Sequence, residues 1–181
     1  MTPNYNDVLT FWFEELQPSD WFRSSAELDQ QIKRRFGELH CKACQCELAS
    51  WRQSPQGRLA EIIILDQFSR NLFRESSLAF ASDSLALALA QEAVSLGVDV
   101  KLPPMLRSFL YMPYMHSESL LIHEHGLQLF TQSDLQHNVE FHLKHTAILR
   151  RFGRYPHRNK ALGRESSSEE IEFLTQPDSS F

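Results

Sequence analysis

Apolar residues recur at three- and four-residue intervals almost from end to end of the chain, and the alternation that marks strands is nearly absent. Val8, Phe11, Trp12 and Leu16 form the first such stripe and predict a helix over 6–15, with Asn6 or Asp7 as its cap. After the break at Gln17-Pro18-Ser19-Asp20, Ser24 and Glu27 read as a capping box for a long second helix. Its buried face runs through Leu28, Ile32, Phe36, Leu39, Ala43 and Leu48 and ends near Trp51. Ser54-Pro55 starts a third helix, in which Leu59, Ile62, Ile63, Ile64 and Leu65 leave hardly any polar side. It is expected at the centre of the protein, running to Asn71 or Phe73. Ser82 or Asp83 caps a fourth helix over 85–96, stopped by Gly97, and its alanines permit close packing. Pro103-Pro104 opens a fifth, which Pro113 should interrupt because proline lacks the donor and crowds the preceding turn. Ser117 is the expected cap of a sixth helix, reaching Thr131, and Asp134 the start of a seventh, reaching Phe152. Ser166 and Glu169 make a second capping box for a short last helix over 169–174. The pattern therefore predicts an all-α protein of seven to eight helices joined by short turns: one domain over 1–181, loose from about 177.

Composition narrows the function classes. A length of 181 residues allows a sizeable core. No apolar run approaches the roughly 18–20 residues that span a bilayer. The first residues carry no basic region followed by a hydrophobic block, so neither a signal peptide nor a membrane partner is expected and the predicted location is cytoplasmic. A net charge of −5 argues against coating nucleic acid. Oligomeric state and cofactor stay open.

Against this acidic background, residues 150–164 hold six fixed cations, with His157, and no carboxylate. Arginine forks match carboxylate or phosphate oxygens two at a time, so Arg154, Arg158 and Arg164, with His157 and Asn159, suit convergence on one anion. One alternative is that cations near a helix C-terminus stabilise its negative end, which accounts for Arg150 and Arg151 only. Another is that the arginines pair with internal acids such as Asp66 or Glu118. The stretch 65–74 repeats the chemistry, with Arg beside Asn among aromatics. Asp66 continues the apolar stripe of the third helix, where a carboxylate is costly unless paired. Arg70 follows four residues on and Arg74 one turn later. That spacing describes either a structural ion pair or an acid–cation row lining a cavity.

His116 and Glu118 lie just beyond Pro113 and read as general acid and base, as metal ligands, or as a capping turn. His142 and His145 fall on apolar stripes and are expected to be hydrogen-bonded core histidines. Cys41, Cys44 and Cys46, with His40, lack the two separated ligand pairs usual for structural zinc, and no metal site is expected.

Four separated segments together resemble the bacterial DUF924 family: Leu65 to Arg74, Phe80 to Asp83, Met112 to Glu118, and Arg151 to Arg164. The resemblance covers nearly the whole chain and implies a tetratricopeptide-like α-α superhelix or helical bundle, with no established activity. Its motif positions fall on Asp66, Gln67, Arg70, Asn71, Arg74, His116, Ser117, Glu118, Arg154, His157, Arg158, Asn159 and Arg164. The leading expectation is a pocket for an anionic small molecule or acidic peptide group. Arg70, Arg74, Arg154, Arg158 and Arg164 would hold the anion, Asn71 and Asn159 would orient it, and Asp66 would position Arg70. A second expectation is a hydrolase or transferase that uses His116 or His157 as proton shuttle, with Glu118 or Asp66 as its partner. A third is a protein-interaction scaffold with an exposed apolar groove.

Overall fold

The computed structural model describes residues 3–133, 135–177 and 179–180, and these form helices and turns with no strand among them. α1 (Tyr5–Thr10) continues as a π turn (Phe11–Glu15), and α2 spans Ala26–Cys44. α3 (Pro55–Ile63), a second π turn (Ile64–Phe68) and α4 (Ser69–Leu72) form one continuous helix. α5 (Asp83–Ser95), α6 (Pro104–His116), α7 (Leu120–Gln132), α8 (Gln136–Phe152) and α9 (Ser168–Phe173) follow. With the α3–α4 run taken as one, the described residues form eight helices. No helix among them is long and apolar enough to cross a membrane.

The α3–α4 run is central, as its sequence demands. α3 packs on α1, α5 and α6, while the π turn after it packs on α2 and α5. Ala60 and Ile62 to Leu65 are fully buried, beside Phe11, Trp12 and Phe36. A second, smaller apolar group forms where α8 ends, from Ile148, Leu149 and Tyr155 with Phe152 and Phe173. On the far side α7 packs between α6 and α8. Gly126 permits that approach, because a Cβ there would lie 2.9 Å from the Tyr114 Cβ and 2.8 Å from Cε1 of His142.

Several boundaries differ from the sequence expectation, each for a local reason. Asn4, not Asn6 or Asp7, caps α1, in a reciprocal box with Asp7. Both predicted capping boxes shift by one residue within runs of serine. Ser25 rather than Ser24 caps α2, with Leu28 three residues on, so no acid bonds back. Ser167 rather than Ser166 caps α9, and its reciprocal partner is Glu170. α2 ends at Cys44, and a 3-10 turn over Ala49–Gln53 replaces its expected last turn. α6 runs through Pro113 without interruption, because Ser108 to Met115 are all buried and packing holds the helical path over the missing bond. Ser117 is the C-cap of α6 and not the N-cap of α7, which is Ser119; its hydroxyl accepts from the Ser119 N–H. The predicted start at Asp134 lies outside the described residues. So do Asp178 and Phe181 of the expected loose tail, in which Ser179 is buried and donates to the Leu174 carbonyl.

Candidate functional site

The site begins at the second π turn. A π turn fits an extra residue into the helical path and displaces the usual backbone bonds. Side chains four residues on collect two of its carbonyls: Ser69 Oγ donates to Leu65 O (2.6 Å), and Arg70 Nη1 donates to Asp66 O (2.6 Å). This locks Arg70 alongside Asp66, whose carboxylate is 1 % exposed. Such a charge survives burial only when it is densely paired. His116, the last residue of α6, donates from Nδ1 to Asp66 Oδ1 at 2.6 Å, Gln67 Nε2 donates to the other oxygen, and Arg70 Nη1 lies 3.4 Å away. Burial pushes the Asp66 carboxyl up, but the charges of His116 and Arg70 and these hydrogen bonds outweigh it and hold the group well below the usual carboxylate range.

Asp83, in the first turn of α5, completes the centre. Arg70 reaches it with both arms, at 2.9 and 3.0 Å, and Arg158 Nη1 lies 3.3 Å from the same carboxylate. Arg158 also donates to the His116 carbonyl (2.9 Å) and stacks between the rings of Phe80 and Tyr155, at 4.6 and 4.7 Å. Its side chain is 8 % exposed, and its Nε is buried with no hydrogen-bond partner among the described residues. Burial first, and then the neighbouring Arg70 charge, lower the proton affinity of Arg158 despite Asp83. Arg70 shows the opposite balance, since Asp66 and Asp83 overcome burial and raise it. Two guanidiniums therefore share one carboxylate at a partly solvated edge, where Arg70 is 23 % and His116 is 16 % exposed. His116 Nε2 has no partner among the described residues and is not sealed from solvent.

The other sequence-predicted residues each have partners of their own. Glu118 accepts both arms of Arg164 (2.7 and 2.9 Å) and the Tyr155 N–H (2.7 Å). Burial raises its carboxyl, but these bonds win and lower it. Asn159 accepts from Arg164 Nε and donates to Ser166. Arg154 grips Glu170 with two nitrogens, holding the acid at about 2. Arg74 grips Asp29, which Asn71 also contacts. The asparagines thus orient ion pairs within the protein, and the internal-acid alternative describes Arg74, Arg154 and Arg164. His157 lies beside Tyr155, where burial and the charges of Arg158 and Arg70 push it down to about 3.

Beneath Tyr155 sits a layer of buried histidines. Tyr155 donates to the Met115 carbonyl, and His123 Nε2 lies 3.1 Å from its hydroxyl. His142 stacks on His123 and donates to its carbonyl, while His145 donates to the Phe141 carbonyl. Both act as hydrogen-bonded core residues. Sequence reading missed Asp83, Phe80 and Tyr155 as members of the centre. Asp83 looked like a helix cap, and its place in the first turn of a helix gave no sign of the two arginines it would bridge. Cys44 Sγ approaches His40 (3.7 Å) and Ser82 (3.3 Å), but no cluster of three metal-ligating side chains forms among the described residues.

Helices on one core, with a buried aspartate–histidine pair beside two arginines that share a carboxylate, define an all-α protein built around a polar centre. The chain belongs to the DUF924 family: the description "bacterial protein of unknown function (DUF924)" matches residues 8–178. It is also similar to a solved structure, that of a protein of unknown function, ATU0120, from Agrobacterium tumefaciens. The two share 33 % identity over 94 % of this chain and 96 % of that one, with a TM-score of 0.86. No curated protein matches the chain.

Proposed function

We propose that the protein binds a small anionic molecule at the solvent edge of the Arg70–Arg158 pair and meets it there with His116 Nε2. The observation that carries this reading is the 2.6 Å bond from His116 Nδ1 to buried Asp66, with the opposite ring nitrogen left open beside two arginines. The carboxylate fixes the tautomer and the ring direction, so Nε2 is aimed before any ligand arrives. Arg158 shares Asp83 with Arg70 and keeps its Nε without a partner among the described residues, so an incoming anion meets a cation that no carboxylate has to itself. Arg154, Arg164, Asn159 and Glu118 serve as the frame that holds Tyr155 and the basic turn in place, while Arg74 and Asn71 tie the end of α4 to Asp29 on α2. The ligand class is a small carboxylate or phosphate, the acidic end of a peptide included.

Calorimetry with inorganic phosphate and citrate tests the reading. Loss of one charge-assisted contact should weaken binding by roughly tenfold or more in Arg158→Lys and His116→Ala. Arg154→Lys should bind as the parent does. If neither anion binds, or if Arg154→Lys loses as much as Arg158→Lys, the reading fails.

The aspartate–histidine pair also favours a second reading, in which the same site is a hydrolase or transferase with His116 as general base. A histidine so oriented can take a proton from water or a substrate hydroxyl. Turnover of p-nitrophenyl phosphate or acetate that His116→Ala abolishes, and that Asp66→Asn reduces without loss of phosphate binding, would support it. Equal rates in the parent and His116→Ala would rule it out.

A further inference from the structure

Away from this centre, α5 and α7 flank a trough of about 330 Å³ above the ring of Tyr114 on α6. Gln91 stands on one wall, and His125, Gln128 and Gln132 stand on the other. Val94 and Leu129 supply the apolar part of the lining. The α7 side chains follow three- and four-residue spacing, so one helix face presents them together. Tyr114 is only 3 % exposed, yet its hydroxyl has no partner among the described residues and is not sealed from solvent. A ligand seated over Tyr114 that accepts from this hydroxyl makes a direct bond in place of one to water. Burial, with the Asp99 charge, pushes Tyr114 up to about 12, so it stays protonated and able to donate. Gly126 holds α7 against the root of this side chain and fixes the floor.

The chemistry of the lining selects the ligand. Among the described residues, no aspartate, glutamate, lysine or arginine lines the trough, and three of its five polar side chains are glutamines. Each glutamine carboxamide offers a donor and an acceptor side by side, the arrangement that pairs with a nucleobase edge or with another amide. The volume is at the small end for ligand sites, which suits one or two rings. We infer that this trough binds an uncharged planar heterocycle or aromatic carboxamide, with the Tyr114 hydroxyl and the Gln128 carboxamide as its polar contacts.

Saturation-transfer NMR with adenine, cytosine and nicotinamide, and inorganic phosphate as the charged control, tests this. At least one neutral probe should bind, and Tyr114→Phe and Gln128→Ala should each weaken it by roughly tenfold. Tyr114→Phe removes only the hydroxyl, and Gln128 is a surface residue whose loss leaves packing intact, so the pair separates binding from folding. His116→Ala should leave neutral-probe binding unchanged, which keeps this site distinct from the anion centre. Failure of all three neutral probes, indifference to both substitutions, or displacement of the bound probe by phosphate would each overturn the inference.

Discussion

Arg158 and Arg154 leave the same turn, four residues apart, and meet opposite fates. Arg154 finds one carboxylate, Glu170, and both nitrogens that face it are satisfied. Arg158 shares its carboxylate with Arg70, keeps an Nε without a partner, and sits under two aromatic rings. The rim is a set of closed pairs: Arg154 with Glu170, Arg164 with Glu118, and Arg74 with Asp29. The centre leaves cation and imidazole capacity in reserve. An arginine-rich sequence is therefore no guide to free positive charge. What separates scaffold from candidate site is whether a guanidinium has a carboxylate to itself: Asp83 is divided between Arg70 and Arg158, and Asp66 between Arg70 and His116.

The largest expected effect comes from removing the acid that the centre cannot replace. Asp83→Asn keeps the shape but leaves Arg70 and Arg158 without their shared counter-charge in a largely buried setting. Breaking such a pair from one side costs about 3–5 kcal/mol. Urea unfolding should show this as a lower midpoint with an unchanged slope. A loss no larger than that from an exposed pair would mean that centre and rim do not differ.

Much of the frame of this contrast was legible in the sequence. The apolar run from Leu59 to Leu65 announced a central helix, and Asp66 on its stripe announced a buried acid that needed partners. The resemblance placed Arg70, His116 and Arg158 in one motif set. Partner choice was not legible, because Asp83, Glu170 and Asp29 reach their arginines across 13, 16 and 45 residues and carry no periodic signal. The serine runs could not be phased for a related reason. Whether Ser166 or Ser167 caps α9 depends on Glu170, whose position Arg154 and Ser167 settle in three dimensions. Nothing in the spacing around Tyr155 marks it as the ring that packs on the central guanidinium.

Acid should sharpen the contrast from below, at intermediate size. His123 is held down at about 4 and His145 at about 3, in each case chiefly by burial. The unfolded chain binds their protons near pH 6.5, whereas the folded protein keeps both neutral, so below that pH the unfolded state holds more protons. Their contribution is intact above about pH 7 and drains away as pH falls from 6.5 towards 4, by about 1.4 kcal/mol per pH unit for each histidine. Unfolding at pH 7, 6, 5 and 4.5 should trace that slope, and His145→Gln should remove one histidine's share. The floor under Tyr155 should loosen before the rim carboxylates begin to protonate. Flat stability down to pH 4.5 would show that these imidazoles are not buried neutral.

The smallest effect belongs to the outermost pair, and its size sets the scale for the others. Arg151 reaches Glu169 at 2.8 Å, the same separation as Arg74 from Asp29, but the two side chains are 46 % and 60 % exposed. Water already solvates both, and holding two long chains in one geometry costs entropy that the attraction barely repays. Glu169→Gln should therefore shift stability by less than about 0.5 kcal/mol, and by less still in 1 M salt. Distance alone would rank this pair above the 3.3 Å contact between Arg158 and Asp83, whereas burial and carboxylate supply rank it far below. Parallel unfolding of Glu169→Gln and Asp83→Asn decides which ordering holds. Comparable losses in the two would show that contact length, and not burial and the sharing of one carboxylate at the centre, governs how this arginine set is held.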